Sequence, residues 1–113
     1  MAKYRLRKLV YISGPMSSSG DRVQNIKRGM RAWERLLKAG YAPVLPHLND
    51  FIELTYGHSW DEWIDYDLSL VARCDGVLRL PGYSRGADVE TAFAEKQRIP
   101  VVRSIQSLKR AIR

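Results

Sequence analysis

The chain has 113 residues, 45% of them hydrophobic, with one cysteine and a net charge of +7 from 19 Lys and Arg against 12 Asp and Glu. That length suits one domain with one core, and the lone Cys74 excludes an internal disulfide framework. No apolar run is long enough to span a bilayer, the apolar stretch within "MAKYRLRKLVYISGP" is too short for a signal peptide, and two isolated histidines do not suggest a metal cage.

In chain order, "KLVYISG" (residues 8–14) is a short β-rich run stopped by Gly14-Pro15 and is expected to be a buried first strand. The polar loop "SSSGD" follows. From Arg22 to Ala39, Val23, Ile26, Met30, Trp33, Leu36 and Leu37 recur at helical spacing, and Gly40 ends that helix. "YAPVLP" predicts a second strand at the sheet edge, because Pro43 has no amide to donate to a ladder. Residues 47–59 are the least regular part and suit a flap or short helical turns. A helix is expected from Ser59 or Trp60 to Arg73, with Trp60, Trp63, Ile64, Asp67, Leu68 and Val71 on related faces. "DGVLRL" predicts the third strand, a helix follows Ser84 with Val89, Ala92, Phe93 and Ala94, "IPVV" predicts the fourth strand, and "SIQSLKRAI" closes as a helix capped by Ser104.

Strands alternating with helices imply an α/β sandwich of three layers around a parallel sheet of four to five strands, in one domain over residues 1–113. Ligands of such sheets sit beyond the carboxyl ends of the strands. The loops at 13–20, 46–58 and 81–86, together with the tail near 104, are therefore expected to share one rim.

The charge favours anionic ligands, either nucleic acid or small phosphorylated metabolites. Basic residues are scattered over "KYRLRK", "KRGMRAWERLLK" and "RSIQSLKRAIR", as solvated helix faces would have them, and no aromatic-basic or zinc-finger signature supports nucleic acid. The first loop, "YISGPMSSSGD", has neither the Walker lysine spacing nor a GxGxxG pattern. Its Gly14 and its hydroxyls at Ser17, Ser18 and Ser19 are suited to a phosphate or sugar, or to a simple connection.

"PGYSRG" says more, because it leads straight into a helix. There Ser84, the Gly86 amide and the helix dipole converge on a place for an anion, with Arg85 between them. Glu90 lies four residues after Gly86 and is expected to be partly desolvated among Ala87, Ala92 and Phe93 if it faces the rim; otherwise it is a surface glutamate. Asp67 sits on the inward stripe of its helix, where a carboxylate is costly without a partner, whereas Asp65 lies round the helix and Asp61 and Glu62 are first-turn charges. Asp75, before the third strand, reads as structural. Two carboxylates of this kind suit chemistry at a glycosidic bond, one attacking or stabilising the sugar carbon and the other managing a proton. His47, Asp50 and His58 form a loosely spaced trio that a metal would need to gather.

"VYISGPM", the aspartate of "DYDLSLV", "CDGVLRLPG" and the S-x-G-x-x-x-E of Ser84 to Glu90, followed by "TAFAEKQRIPVV", together resemble the nucleoside 2-deoxyribosyltransferase superfamily. The likeness is greatest to small phage and bacterial members of uncharacterised function, and next to the deoxynucleoside 5′-monophosphate N-glycosidases. It implies a flavodoxin-like fold, a nucleotide substrate and no cofactor, while the short apolar runs and the lone cysteine lead to the expectation of no membrane and a cytoplasmic setting. Glu90 matches the nucleophile that attacks the anomeric carbon, Asp67 the aspartate that assists the departing base, and Tyr11 the tyrosine that orients the carboxylate. Ser84 and Gly86 match the phosphate-contacting pair. Transferases acting on unphosphorylated nucleosides tend to carry an acidic residue where Ser84 stands, so the neutral serine beside Arg85 implies a phosphorylated substrate. Pro15 and Ser17 depart from the hydrolase pattern in the first loop, leaving Arg85 or Ser17–Ser19 to replace the phosphate donors.

The resemblance further implies a homodimer or higher homo-oligomer whose pocket a residue near the C-terminus completes, with Ser104 and Ser107 as candidates. The expected activity is hydrolysis of the N-glycosidic bond of a (deoxy)nucleoside 5′-monophosphate. A deoxyribosyltransferase and a non-catalytic nucleotide-binding module are the alternatives.

Overall fold

A computed structural model describes residues 3–17 and 20–112. Its described elements run β1 (Leu9–Ser13), α1 (Arg22–Lys38), β2 (Ala42–Val44), a 3₁₀ turn (Pro46–Asn49), α2 (Asp50–Thr55), α3 (Trp60–Val71), β3 (Gly76–Arg79), α4 (Arg85–Lys96), β4 (Val101–Val102) and α5 (Ile105–Ala111). The four strands are all parallel in the order β2-β1-β3-β4. With helices on both faces this is a flavodoxin-like three-layer α/β fold, in which connections from β1 and β3 diverge at the centre of the sheet. β2 pairs with β1 alone and Pro43 lies opposite Val10, so its missing amide costs no ladder bond on the open edge.

Alternation along the strands divides the core. Val10, Ile12 and Leu78 pack with Ala32 and Leu36 of α1 and Leu108 of α5. Tyr11 and Val77 face the other way, against Val71 of α3, Cys74 and Ala94 of α4. Ser13 shares the Tyr11 side of β1, and this parity brings it to α4. Asp75 accepts a hydrogen bond from the Leu9 amide at 2.8 Å, which ties the start of β3 to the start of β1.

α1 presents a different face from the one its apolar pattern predicts. Its buried residues are Asn25, Gly29, Ala32 and Leu36, whereas Val23 and Met30 are exposed. Close approach explains the shift. A Cβ on Gly29 would lie 2.8 Å from Leu45 Cδ1, so a small residue, not a large apolar one, marks where this helix meets the chain just after β2. Gly40, at φ 101°, ends the helix as expected.

The irregular stretch 47–59 resolves into the 3₁₀ turn, α2 and the capping box of α3, where Ser59 Oγ accepts from the Glu62 amide and the Glu62 carboxylate accepts from the Ser59 amide. Glu62 is therefore a cap as well as a first-turn charge. No helix among the described residues is long and apolar enough to cross a membrane.

Candidate functional site

Beyond the carboxyl ends of β1 and β3 lies a cavity of about 380 Å³. The first loop contributes Gly14, Met16 and Ser17; the segment after β2 contributes His47, Asn49, Asp50 and Glu53. α3 adds Trp60, Trp63, Ile64 and Asp67, and the start of α4 adds Ser84 through Ala87 with Glu90. Three of the four predicted rim segments therefore meet. The fourth does not: Ser104 caps α5, accepting from the Ser107 amide and donating to the Ser107 hydroxyl, and neither serine lines this cavity.

Glu90 forms the floor. It is only 6% exposed, deeper than a rim carboxylate, and β1 supplies two donors to it. Ser13 Oγ donates to Glu90 Oε1 at 2.7 Å and Tyr11 Oη donates to Oε2 at 3.0 Å. Residues 11 and 13 are one strand period apart, so both hydroxyls emerge from the same face of β1 towards α4. Ala92, expected beside the glutamate, is exposed instead; Ala87 and Ala94 are the buried alanines of this helix.

Asp67 projects from α3 into the same cavity and stands beside Glu90, near enough for each to affect the other's protonation. Its Oδ1 is buried and accepts no hydrogen bond. Burial raises Asp67 to about 6, while contacts with Glu90 and Tyr11 oppose the rise. Burial also raises Glu90 to about 8; the bond from Ser13 opposes that rise and the Asp67 charge adds to it. Two adjoining desolvated carboxylates cannot cheaply be ionised together, so between those limits the pair holds one proton in common. The Tyr11 phenol is raised far above its ordinary range, chiefly by burial and then by Glu90, and stays a neutral donor.

The loop from β3 to α4 sets the opposite wall. Ser84 is the N-cap of α4: its Oγ accepts from the Ala87 amide at 3.1 Å, and its hydroxyl proton is left to donate elsewhere. The amides of Arg85 and Gly86 come ahead of the first intrahelical bond, Asp88 N to Ser84 O at 3.0 Å, so the helix start offers them to a ligand. Arg79, buried at the end of β3, holds this loop by donating to the Leu80 and Gly82 carbonyls and to Asp88 Oδ1.

Gly14 is explained by packing. A Cβ there would lie 2.8 Å from Leu80 Cβ, where the two central loops cross and Leu80 N donates to Ser13 O. Ser17 lines the cavity, whereas Ser18 and Ser19 lie outside the described residues.

The His47, Asp50 and His58 trio does not gather into a metal site; no cluster that could hold one forms among the described residues. His47 is buried, its Nε2 donates to the Pro15 carbonyl at 3.0 Å, and burial lowers its pKa. Asp50 is ion-paired with Arg22, and His58 leans towards Glu62.

Sequence spacing pointed to Glu90, Asp67, Ser84, Arg85 and Gly86, the family resemblance added Tyr11, and the fold brings all six to or immediately behind one cavity. Spacing missed Ser13, which strand parity with Tyr11 could have supplied, and the indoles of Trp60 and Trp63 that border the cavity. The Trp63 indole nitrogen donates to Glu53, joining α3 to α2.

Fold and site together define a parallel α/β protein that buries a carboxylate pair at the point where the central strands diverge. Residues 8–103 match the domain of unknown function DUF4406, and the chain belongs to that family. No curated protein matches the chain.

Proposed function

We propose that this protein, as a member of the nucleoside 2-deoxyribosyltransferase superfamily, hydrolyses the N-glycosidic bond of a (deoxy)nucleoside 5′-monophosphate. The observation that carries the reading is the buried Glu90, held at both oxygens by Tyr11 and Ser13 and set beside Asp67 in an open cavity. Two donors stabilise negative charge on Glu90, whereas Asp67 Oδ1 receives none. Glu90, raised further than Asp67, holds the shared proton at rest, so the reactive form is the minor one in which that proton has passed to Asp67 and the Ser13 and Tyr11 donors stabilise the Glu90 carboxylate.

The Glu90 carboxylate then attacks C1′. The C1′–N bond breaks, its electron pair leaves with the base, and Asp67 gives that base its proton. A glycosyl ester on Glu90 remains. Water attacks C1′, ionised Asp67 accepts the water proton, and Glu90 departs as carboxylate with release of sugar 5-phosphate. Ser84 and the Arg85 and Gly86 amides hold the 5′-phosphate, and a homodimer or higher assembly of this chain is part of the same reading. Transfer to a second base would replace only the water step.

Incubation with a panel of ribo- and deoxynucleoside 5′-monophosphates, followed by chromatography, tests this. Release of free base from at least one member is expected. No base from any member, with folded protein that binds a nucleotide, would leave a binding module instead.

The pair also sets a pH dependence. One proton on two carboxylates is the working form, so kcat/KM should peak between about pH 6 and about pH 8. It should fall on the acid side as the pair gains a second proton and loses its nucleophile. On the alkaline side it should fall as the proton for the base is lost. A profile that is flat across pH 5–9 would contradict the shared-proton arrangement.

A further inference from the structure

At the mouth of the cavity the Arg85 guanidinium lies over the Trp60 indole, 4.2 Å from the ring centroid. Both residues line the cavity, and each is the first residue of a helix with a bonded N-cap. Trp60 follows Ser59 and its capping box, and Arg85 follows Ser84, whose Oγ holds the Ala87 amide. Two fixed helix starts therefore determine where the ring and the cation meet. A flexible arginine on an open surface would lose several rotors to hold one position; a flat ring beneath it limits that loss and leaves its edge nitrogens free.

Arg85 also differs from the other arginine lining the cavity. Arg22 is committed to Asp50, whereas no carboxylate lies within ion-pair distance of Arg85 among the described residues. Its planar face is occupied, and its donors meet no acceptor among the described residues. They stand next to Ser84 and Gly86, where the helix start favours an anion.

We propose that Trp60 is a positioning residue for anion recognition, which holds Arg85 over the cavity mouth so that the chain selects phosphorylated over unphosphorylated ligands. This deepens the nucleotide reading and rests on it for the ligand's identity. The pairing itself requires only that the anion be a phosphate. With the first loop lacking a basic side chain between Gly14 and Asp21, the selection falls to an arginine that an indole keeps in place.

The test compares wild type with Trp60→Ala and Trp60→Phe by calorimetric titration at fixed ionic strength, using inorganic phosphate, a nucleoside 5′-monophosphate and the matching nucleoside. Trp60→Ala should weaken phosphate and monophosphate binding about two- to fivefold, the size of an exposed cation–π contact, and leave nucleoside binding unchanged. Trp60→Phe, which keeps a ring face, should restore most of the loss. In wild type, tryptophan fluorescence should change on addition of inorganic phosphate, and that change should vanish in Trp60→Ala. Equal weakening for nucleoside and monophosphate would overturn the proposal, because Trp60 would then be a wall of the pocket. So would unchanged phosphate binding in Trp60→Ala, or wild type that binds no phosphate. Trp60-dependent phosphate binding without base release from any nucleotide would support the pairing while removing the hydrolase reading.

Discussion

Glu90→Gln should abolish base release, with kcat lowered on the order of 10⁴-fold or more, while the chain keeps its fold. Glutamine preserves the shape of the carboxylic acid, and its oxygen still accepts one of the two hydrogen bonds that arrive from Ser13 and Tyr11. On the proposed mechanism glutamine cannot attack C1′, and Asp67 does not take over because it carries the proton. Alanine is the poorer probe. Glu90 is buried, so truncation leaves the hydroxyls of Ser13 and Tyr11 facing a gap, at a cost of about 1–3 kcal/mol for each one left unsatisfied.

Stability should move the other way with pH. The Glu90 carboxyl is raised on folding, so its contribution is fully present below its unfolded pKa and is lost as pH rises through about 8. Glutamine has no such loss. The melting temperature of Glu90→Gln relative to wild type should therefore increase from pH 5 and level off above about pH 8, even though the variant is expected to be inactive. Turnover that survives in Glu90→Gln would remove the glutamate from the chemistry.

The second large effect is expected at Ser84. Aspartate is as good an N-cap as serine, so Ser84→Asp should keep the bond to the Ala87 amide and the start of α4. What changes is charge. A carboxylate about 4 Å from a phosphate in a partly desolvated cavity costs on the order of 4 kcal/mol at an effective dielectric of about 20, and screening by solvent and salt reduces this. A fall in kcat/KM on the order of 10²–10³-fold is expected for monophosphates, with a change of only about severalfold for the corresponding nucleosides. Steady-state kinetics on both substrates decides the matter. Equal losses on the two would show that Ser84 does not face the phosphate.

Much of this arrangement is legible in the sequence because short-range rules govern it. Gly14-Pro15 and Gly40 stop their elements, Pro43 marks the edge strand, and Ser84 and Ser104 cap helices in the places their neighbours suggest. The carboxylates were found by a similar logic: Asp67 lies on an apolar stripe, and Glu90 follows a helix start by one and a half turns. Pairwise packing was less legible. Gly29 meets Leu45 while Val23 and Met30, on the apolar spacing of the helix, are exposed, since helix periodicity cannot say where backbones approach most closely. Ser13 was missed for a related reason. A lone serine at a strand end has no signal of its own until Tyr11, two residues before it, is known to face a carboxylate from another element. The Trp60–Arg85 contact joins residues 25 positions apart in two helix starts, and nothing local announces it.

Covalent capture at Glu90 is the most direct measurement of the central claim. A 2′-fluorinated nucleoside 5′-monophosphate slows both steps at C1′ by destabilising the oxocarbenium-like transition states, so the glycosyl ester should accumulate if its hydrolysis is slowed more than its formation. Intact-mass spectrometry should show one sugar phosphate added per chain with loss of the base, and peptide mapping should place it on Glu90. The Glu90→Gln variant should show no adduct. An adduct on Asp67, or base release by wild type from the same compound with water as the direct attacking group and no adduct at any time, would contradict the account.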